Sequence, residues 1–343
     1  MPFRMKSLSG LAQAAQRLDL ERLLEWRPNY PPLAVEIDRG EAVLVRMRRR
    51  RGGGSLEAHG FREIPDDVVG ASIFRPNLAA PDETAARLKD LFEKTGTKPG
   101  RVSLVLPDNL AKISIVTLPE KPPGRKQLEE VLRFKLRRSV PFRLDEAAVS
   151  FQLLHESPGE VSVLAAVMLR SVVEQYEAAL EKAGATPGLV DLCTPALVNL
   201  CRRDLDEATR GGSDAALVNA AKGYFSLVIV RGGRIVFFRC KSYAAVDEDA
   251  PPAPGGTALA RELATSISYY QDKLAGVDLG TAFVRTVSAP HDEIAEILER
   301  QGIGRIEAVD PSAVLGLGAG LRLDADVAQR LAPCVGAAAG RAA

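Results

Sequence analysis

Residues 215–241, AALVNAAKGYFSLVIVRGGRIVFFRCK, decide the fold. Leu227 to Val230 is an apolar, mostly β-branched run, Arg231-Gly232-Gly233-Arg234 offers two glycines that accept positive φ at little cost, and Ile235 to Phe238 resumes the strand. The stretch reads as strand, tight turn, strand. Residues 33–47, LAVEIDRGEAVLVRM, give the same reading near the start of the chain. Two such β openings, each followed by mixed α/β sequence, point to an internal duplication.

A chain of 343 residues with 46% hydrophobic and 26% charged residues has room for about two ordinary globular domains. Its 45 basic and 44 acidic residues leave a net charge of +1, so no global field draws it to nucleic acid or to an anionic membrane. Cys193, Cys201, Cys240 and Cys334 lack C-x-x-C spacing, and His59, His155 and His291 stand apart. That pattern excludes a zinc site and a disulfide framework and suits a reducing compartment. The longest apolar run, 161–169, falls far short of the roughly 20 residues that span a bilayer. With no secretory h-region at the N-terminus, the expected location is the cytoplasm.

Taken in order, residues 1–26 carry an apolar stripe and predict a helix ended by Pro28 and Pro31-Pro32. Arg48-Arg49-Arg50-Arg51 followed by three glycines reads as a solvated hairpin tip with phosphate contact as the functional alternative. A helix at 82–97 and a strand at 101–106 precede a block of different texture, 112–184. This block predicts a strand (112–118), a Pro-rich joint, a helix (125–139), two strands (147–154 and 161–168) and a helix (171–183). On the 125–139 helix, Leu128, Val131, Leu132 and Leu136 form one stripe, while Phe134 lies roughly 130° away with Arg138 one turn further on. Beyond it come an apolar element (189–200), a polar connection (202–212), the second hairpin, a loop (247–256), a helix (257–274), a strand (283–287), a helix (291–301) and a small-residue helix (326–341) containing Pro333. Gly316, Gly318 and Gly320 are spaced G-x-G-x-G and read as a loop, not a dinucleotide fingerprint.

Several of these pieces resemble one family. VSLVLPDNLAKISIVTLP (102–119), QLEEVLRFKLRRSVPF (127–142), LEKAGATPGLVD (180–191), PALVNL (195–200), GGRIVFFR (232–239), ISYYQDKL (267–274) and LAPCVGAAAGR (331–341) are similar, in order and spacing, to the type IV pilus assembly protein PilM family, relatives of the division protein FtsA. The resemblance implies an α/β, actin-like (ribonuclease H-like) two-domain fold with an inserted α+β subdomain and a reduced second domain. It divides the chain into an N-terminal helix (1–30), a first actin-like domain (31–111, completed by 185–210 and 311–343), the insert (112–184) and a second actin-like domain (211–310).

Nucleotide chemistry does not transfer with the fold. Actin-like ATPases hold phosphates between two Asp-Ile-Gly-type turns, where glycine lets backbone N–H groups approach the oxygens. Here the first turn reads Glu36-Ile37-Asp38, the second Asn219-Ala220-Ala221, and the glycine pair that meets adenosine is replaced by Ser288-Ala289-Pro290. The wall subdomain is reduced to the loop before Thr257. An Asp38 carboxylate set against phosphate would cost several kcal/mol, at about 4 kcal/mol per close charge pair near a protein surface. Glu36, Asp38 and Asn219 would line the site of an ATP- and Mg-binding alternative; no cofactor is the expectation.

The resemblance therefore implies a non-catalytic adaptor of the pilus inner-membrane platform. Its partner would be the cytoplasmic N-terminal peptide of a PilN-like single-pass membrane protein, held between the insert and the first domain. Phe134, Arg138 and Phe142 are the candidate partner-binding residues, and no specific nucleic acid is expected; self-association stays open. A GspL-type scaffold of a type II secretion system is the other related reading.

Overall fold

The computed structural model describes residues 30–50, 53–243, 258–274, 276, 278–316 and 323–340. The helix expected over 1–26, the loop over 247–256, the centre of the arginine–glycine tip and most of LGLGAGL lie outside the described residues.

The chain first forms β1 (Leu33–Asp38), β2 (Glu41–Arg50), β3 (Gly53–Glu63), helix α1 (Pro81–Lys94) and β4 (Arg101–Leu106). Next come β5 (Lys112–Leu118), α2 (Arg125–Leu136), β6 (Ala147–Ser157), β7 (Glu160–Leu169), α3 (Arg170–Lys182), β8 (Thr186–Leu192), α4 (Cys193–Leu200) and α5 (Arg202–Ala208). The remainder makes β9 (Asp214–Ala221), β10 (Tyr224–Arg231), β11 (Arg234–Ser242), α6 (Ala258–Lys273), β12 (Leu279–Thr286), α7 (His291–Glu299), β13 (Arg305–Ala308), α8 (Ser312–Leu315) and α9 (Ala325–Ala339).

The two hairpins open two sheets of the same design. The first runs β3-β2-β1-β4-β8 and the second β11-β10-β9-β12-β13. In each, the first three strands are antiparallel and the last two are parallel to the central one. This duplicated order is the actin-like fold. The central strands read as near-continuous apolar runs because each is covered on both faces. Leu33, Val35 and Ile37 of β1 face a core with α1 and α3, while Ala34 faces a middle layer filled by α4 and α9. On β9, Ala216, Val218 and Ala220 face α6 and α7, and Ala215 and Leu217 return to the middle layer. The small residues of α9 are buried there, and the helix runs on through Pro333.

The insert's sheet, β5-β7-β6, is antiparallel throughout. On β7, Val161, Val163, Ala165 and Val167 meet Leu128, Leu132 and Leu136 of α2, while Met168, with half-buried Leu164 and Ala166, turns to the first sheet's core. The two faces of one sheet thus serve two cores.

Four sequence readings change. Arg48 to Arg50 belong to β2, and Arg48 and Arg46 pair with Glu57 across the ladder at 2.6 and 3.1 Å, so the run is strand before it is turn. Its partner β3, with three glycines and three charged residues among its eleven, carries too weak an apolar pattern to announce itself. The polar connection at 202–212 contains α5, anchored by buried Leu205. Finally α3, inside the 112–184 block, buries Val172, Tyr176, Ala179 and Leu180 in the first core and not in the insert's own.

Candidate functional site

Corresponding positions of the two hairpins face each other across the middle layer. Glu36 of β1 and Asn219 of β9 point inward, and Arg285, opposite Asn219 in the parallel register of β12, comes between them. Arg285 is 3% exposed. Its Nη1 donates to Asn219 Oδ1 at 3.0 Å, its Nε donates to the Gln329 carbonyl of α9 at 3.0 Å, and its Nη2 stands 3.7 Å from Glu36 Oε1. Burial opposes the guanidinium charge, but Glu36 and its neighbours hold it and keep the pKa above the ordinary arginine value.

A second buried carboxylate completes the cluster. Asp108, in the turn after β4, accepts the Thr194 N–H at 3.0 Å, the Thr194 hydroxyl, Ser226 Oγ at 2.8 Å and Asn219 Nδ2 at 3.4 Å. Burial raises its pKa against these bonds, and burial raises that of Glu36 against Arg285. The Cys193 thiol donates to Glu36 at 3.0 Å, and burial, then Glu36, push its pKa far up. It is a protonated donor and no nucleophile.

At the mouth, the residues do not fit a Mg-nucleotide. The Arg39 N–H in the β1–β2 turn is held by Asp38 Oδ1 at 2.6 Å, so the amide a phosphate would approach is taken. Burial, then Glu36, push Asp38 up to about 7. Glu36, Asp38, Glu41 and Asp326 all line the cleft, about 330 Å³ in volume. Most of its cations are committed: Lys222 of the second turn pairs with Asp66 at 2.7 Å, Arg330 is held by Glu41 and lies 3.7 Å over the Phe61 ring, and Arg285 serves the buried cluster, which leaves Arg39 as the lining cation with no ion pair among the described residues. Among the described residues no group of three His, Cys, Asp or Glu converges as metal donors.

Of the sequence candidates, Glu36 and Asn219 therefore meet in one cluster and Asp38 caps the turn above it. Arg285, Asp108, Thr194 and Gln329 escaped the sequence reading. One signal was available for Arg285, a charged residue inside the apolar strand run AFVRT.

The insert separates the partner candidates. Phe134 is 64% exposed on the outer side of α2, and the guanidinium that stacks on its ring, at 4.3 Å, is that of Arg137 and not Arg138. Phe142 is half-buried and packs on the insert's core. Because α2 covers the sheet face turned away from the first core, Phe134 and Arg138 do not line the joint between insert and first sheet. Other half-buried apolar side chains, Leu164 and Leu169 of β7, Val173 of α3, Val190 of β8 and Phe238 of β11, pack against the first core, to which both the insert sheet and the first sheet contribute. Glu174, Glu177 and Glu181 follow Val173 within about 100° of helical arc. Burial, then Glu181 and Glu174, raise the Glu177 pKa.

No helix among the described residues is long and apolar enough to cross a membrane. The chain resembles, over 92% of its length and 98% of the other's, a chain of a "PilM-PilN type IV pilus biogenesis complex" at TM-score 0.74 and 19% identity. It is also similar to a Bacteroides thetaiotaomicron protein with an actin-like ATPase fold (TM-score 0.49, 10% identity, 80% and 89% covered). The cytoplasmic domain of EpsL from the Vibrio cholerae type II secretion system aligns at TM-score 0.44 and 14% identity, with 75% and 83% covered. The pattern of the type IV pilus assembly protein PilM matches residues 34–246, more than half of the chain, and the chain belongs to that family.

Proposed function

We propose that this protein is a non-catalytic cytoplasmic adaptor of a type IV pilus assembly platform, peripheral to the inner membrane through its partner. It holds the short cytoplasmic N-terminal peptide of a PilN-like single-pass membrane protein. Family membership and the likeness to the PilM–PilN complex support the partner class. The observation that carries the reading is the joint itself: apolar side chains from the insert, α3, β8 and β11 stay half-open around one core, beside a helix bearing three carboxylates with no ion pair among the described residues. Cytoplasmic flanks of membrane spans are enriched in Lys and Arg, so a leader peptide brings apolar anchors and positive charge to a surface that offers both complements. Such a peptide is ordered as it binds and needs no reaction.

The test is a fluorescence titration with a synthetic leader of the PilN-type protein from the same genome. Leu164→Asp and Val173→Asp should each weaken binding more than tenfold while the fold persists, and Phe134→Ala should change it less than twofold. Unchanged affinity in both Asp variants would remove the peptide from this joint.

A further inference from the structure

We propose that the outer face of α2 is a separate contact surface for an anionic phospholipid bilayer. Phe134 is the most exposed large apolar side chain among the described residues. Along α2 and the two residues after it, Lys126, Lys135, Arg137 and Arg138 are exposed and form no ion pair among the described residues, Arg137 stacking on the Phe134 ring, whereas their neighbours Lys121, Arg133 and Arg143 are matched by Glu156, Glu129 and Asp145. Of the two carboxylates on α2, Glu129 is spent on Arg133, which leaves Glu130 against four free cations. A chain of net charge +1 therefore concentrates a local surplus on the solvent side of α2 and its C-terminal end, where an aromatic ring projects.

Shape chooses between occupants. The face is the convex side of a helix, and its ring stands out instead of lining a groove. A docked peptide gains little where it cannot bury both sides, whereas a bilayer is broad, accepts a projecting aromatic at its headgroup boundary and pairs its phosphodiesters with guanidinium groups. Arg137, stacked on the Phe134 ring, keeps its donors free for such an oxygen. The insert sheet lies between this face and the peptide joint, so the two surfaces can fail independently.

The experiment is co-sedimentation of the full chain, with no partner added, on vesicles of phosphatidylglycerol mixed with phosphatidylethanolamine, and on phosphatidylcholine vesicles as control. Each basic residue near an anionic surface strengthens partitioning by about fivefold. The wild type should sediment with the anionic vesicles only, less so as salt rises, and Arg137→Ser with Arg138→Ser should cut partitioning by more than tenfold at unchanged melting temperature. Phe134→Trp, in a background with Trp26→Phe, should show a blue-shifted emission on the same vesicles. Equal sedimentation on both vesicle types, or full retention by the double Ser variant, overturns the proposal. So does a wild type that ignores vesicles while the double Ser variant loses an acidic protein partner, which would make the face a protein contact.

Discussion

Arg285 Nε stands 3.0 Å from the backbone carbonyl of Gln329, the acceptor that residue 333 would normally bond within the helix. Residue 333 is proline and has no N–H to give, so a buried carbonyl of α9 is left without its i+4 donor. Arg285 supplies the missing hydrogen and with its other nitrogens reaches Asn219 and Glu36. One side chain from the second sheet thereby ties together the C-terminal helix and both central strands.

Removing that side chain should be costly. Arg285→Met would leave Glu36, the Asn219 amide oxygen and the Gln329 carbonyl buried without their cation, a loss of about 3–5 kcal/mol. Adding Glu36→Gln should recover part of it, because the buried carboxylate then needs no counter-charge. Chemical denaturation of the four members of the cycle measures both effects; a loss below about 1 kcal/mol in Arg285→Met would show the cluster to be incidental.

Mg-ATP should give no saturable heat in calorimetry at micromolar protein, and no rise in melting temperature. Asp38 occupies the Arg39 amide, and the cleft sets four carboxylates against four cations of which Lys222, Arg285 and Arg330 are already paired, so a polyphosphate finds few free donors. Clearing one obstacle does not rebuild the site, and Asp38→Gly alone should remain silent. A micromolar dissociation constant for the wild type would refute this.

Stability should fall as pH rises from about 4 to about 7. Asp38 has a folded pKa of about 7, raised by burial and Glu36 from its ordinary 3.8, so in that window the folded chain keeps a proton that the unfolded chain has released. Its contribution is complete at the acid end and lost above 7. Asp191, raised by burial to about 6, acts with the same sign. Asp38→Asn keeps an acceptor for the Arg39 N–H and cannot ionise. It should stabilise the protein by about 1–2 kcal/mol at pH 8, after allowance for water at the cleft mouth, and change it little near pH 4. Denaturation midpoints across pH that are parallel for the two proteins would contradict the assignment.

The hairpins were legible because their signals are local: a two-glycine turn such as Gly232-Gly233 and a run such as Leu227 to Val230 announce themselves within ten or so residues. The α2 stripe was legible for the same reason. What stayed hidden depends on contacts between distant segments. Arg285 meets Gln329 and Glu36 only because β12, α9 and β1 fold into one layer, and no periodicity records that. Phe134 was identified as off the stripe, yet its place relative to the joint between insert and first sheet follows from which face of the insert sheet α2 covers. That is a fact of tertiary packing. Likewise α5 was missed because a two-turn helix with one buried leucine has no period to detect.

Gly336 tests the close packing of α9 on α4. It lies in the buried stretch of α9, and among the glycines it is one where an added methyl would overlap backbone, here the Ala196 carbonyl of α4, with Leu200 Cβ at 3.3 Å beside it. In an open helix Gly→Ala stabilises by about 1 kcal/mol. Here the gain is offset, because α4 and α9 must part to admit the methyl, and overpacking of this kind costs about 1–3 kcal/mol. The displacement does not stay local: α4 begins with Cys193 and Thr194, which bond Glu36 and Asp108, and α9 carries the Gln329 carbonyl that Arg285 uses. Gly336→Ala should therefore lower stability by roughly 1–3 kcal/mol and speed hydrogen exchange in β1 and β9 as well as in the two helices. A stabilised Gly336→Ala protein would mean that α4 and α9 lie farther apart than the structure has them, and would loosen the cluster's claim to join the two sheets.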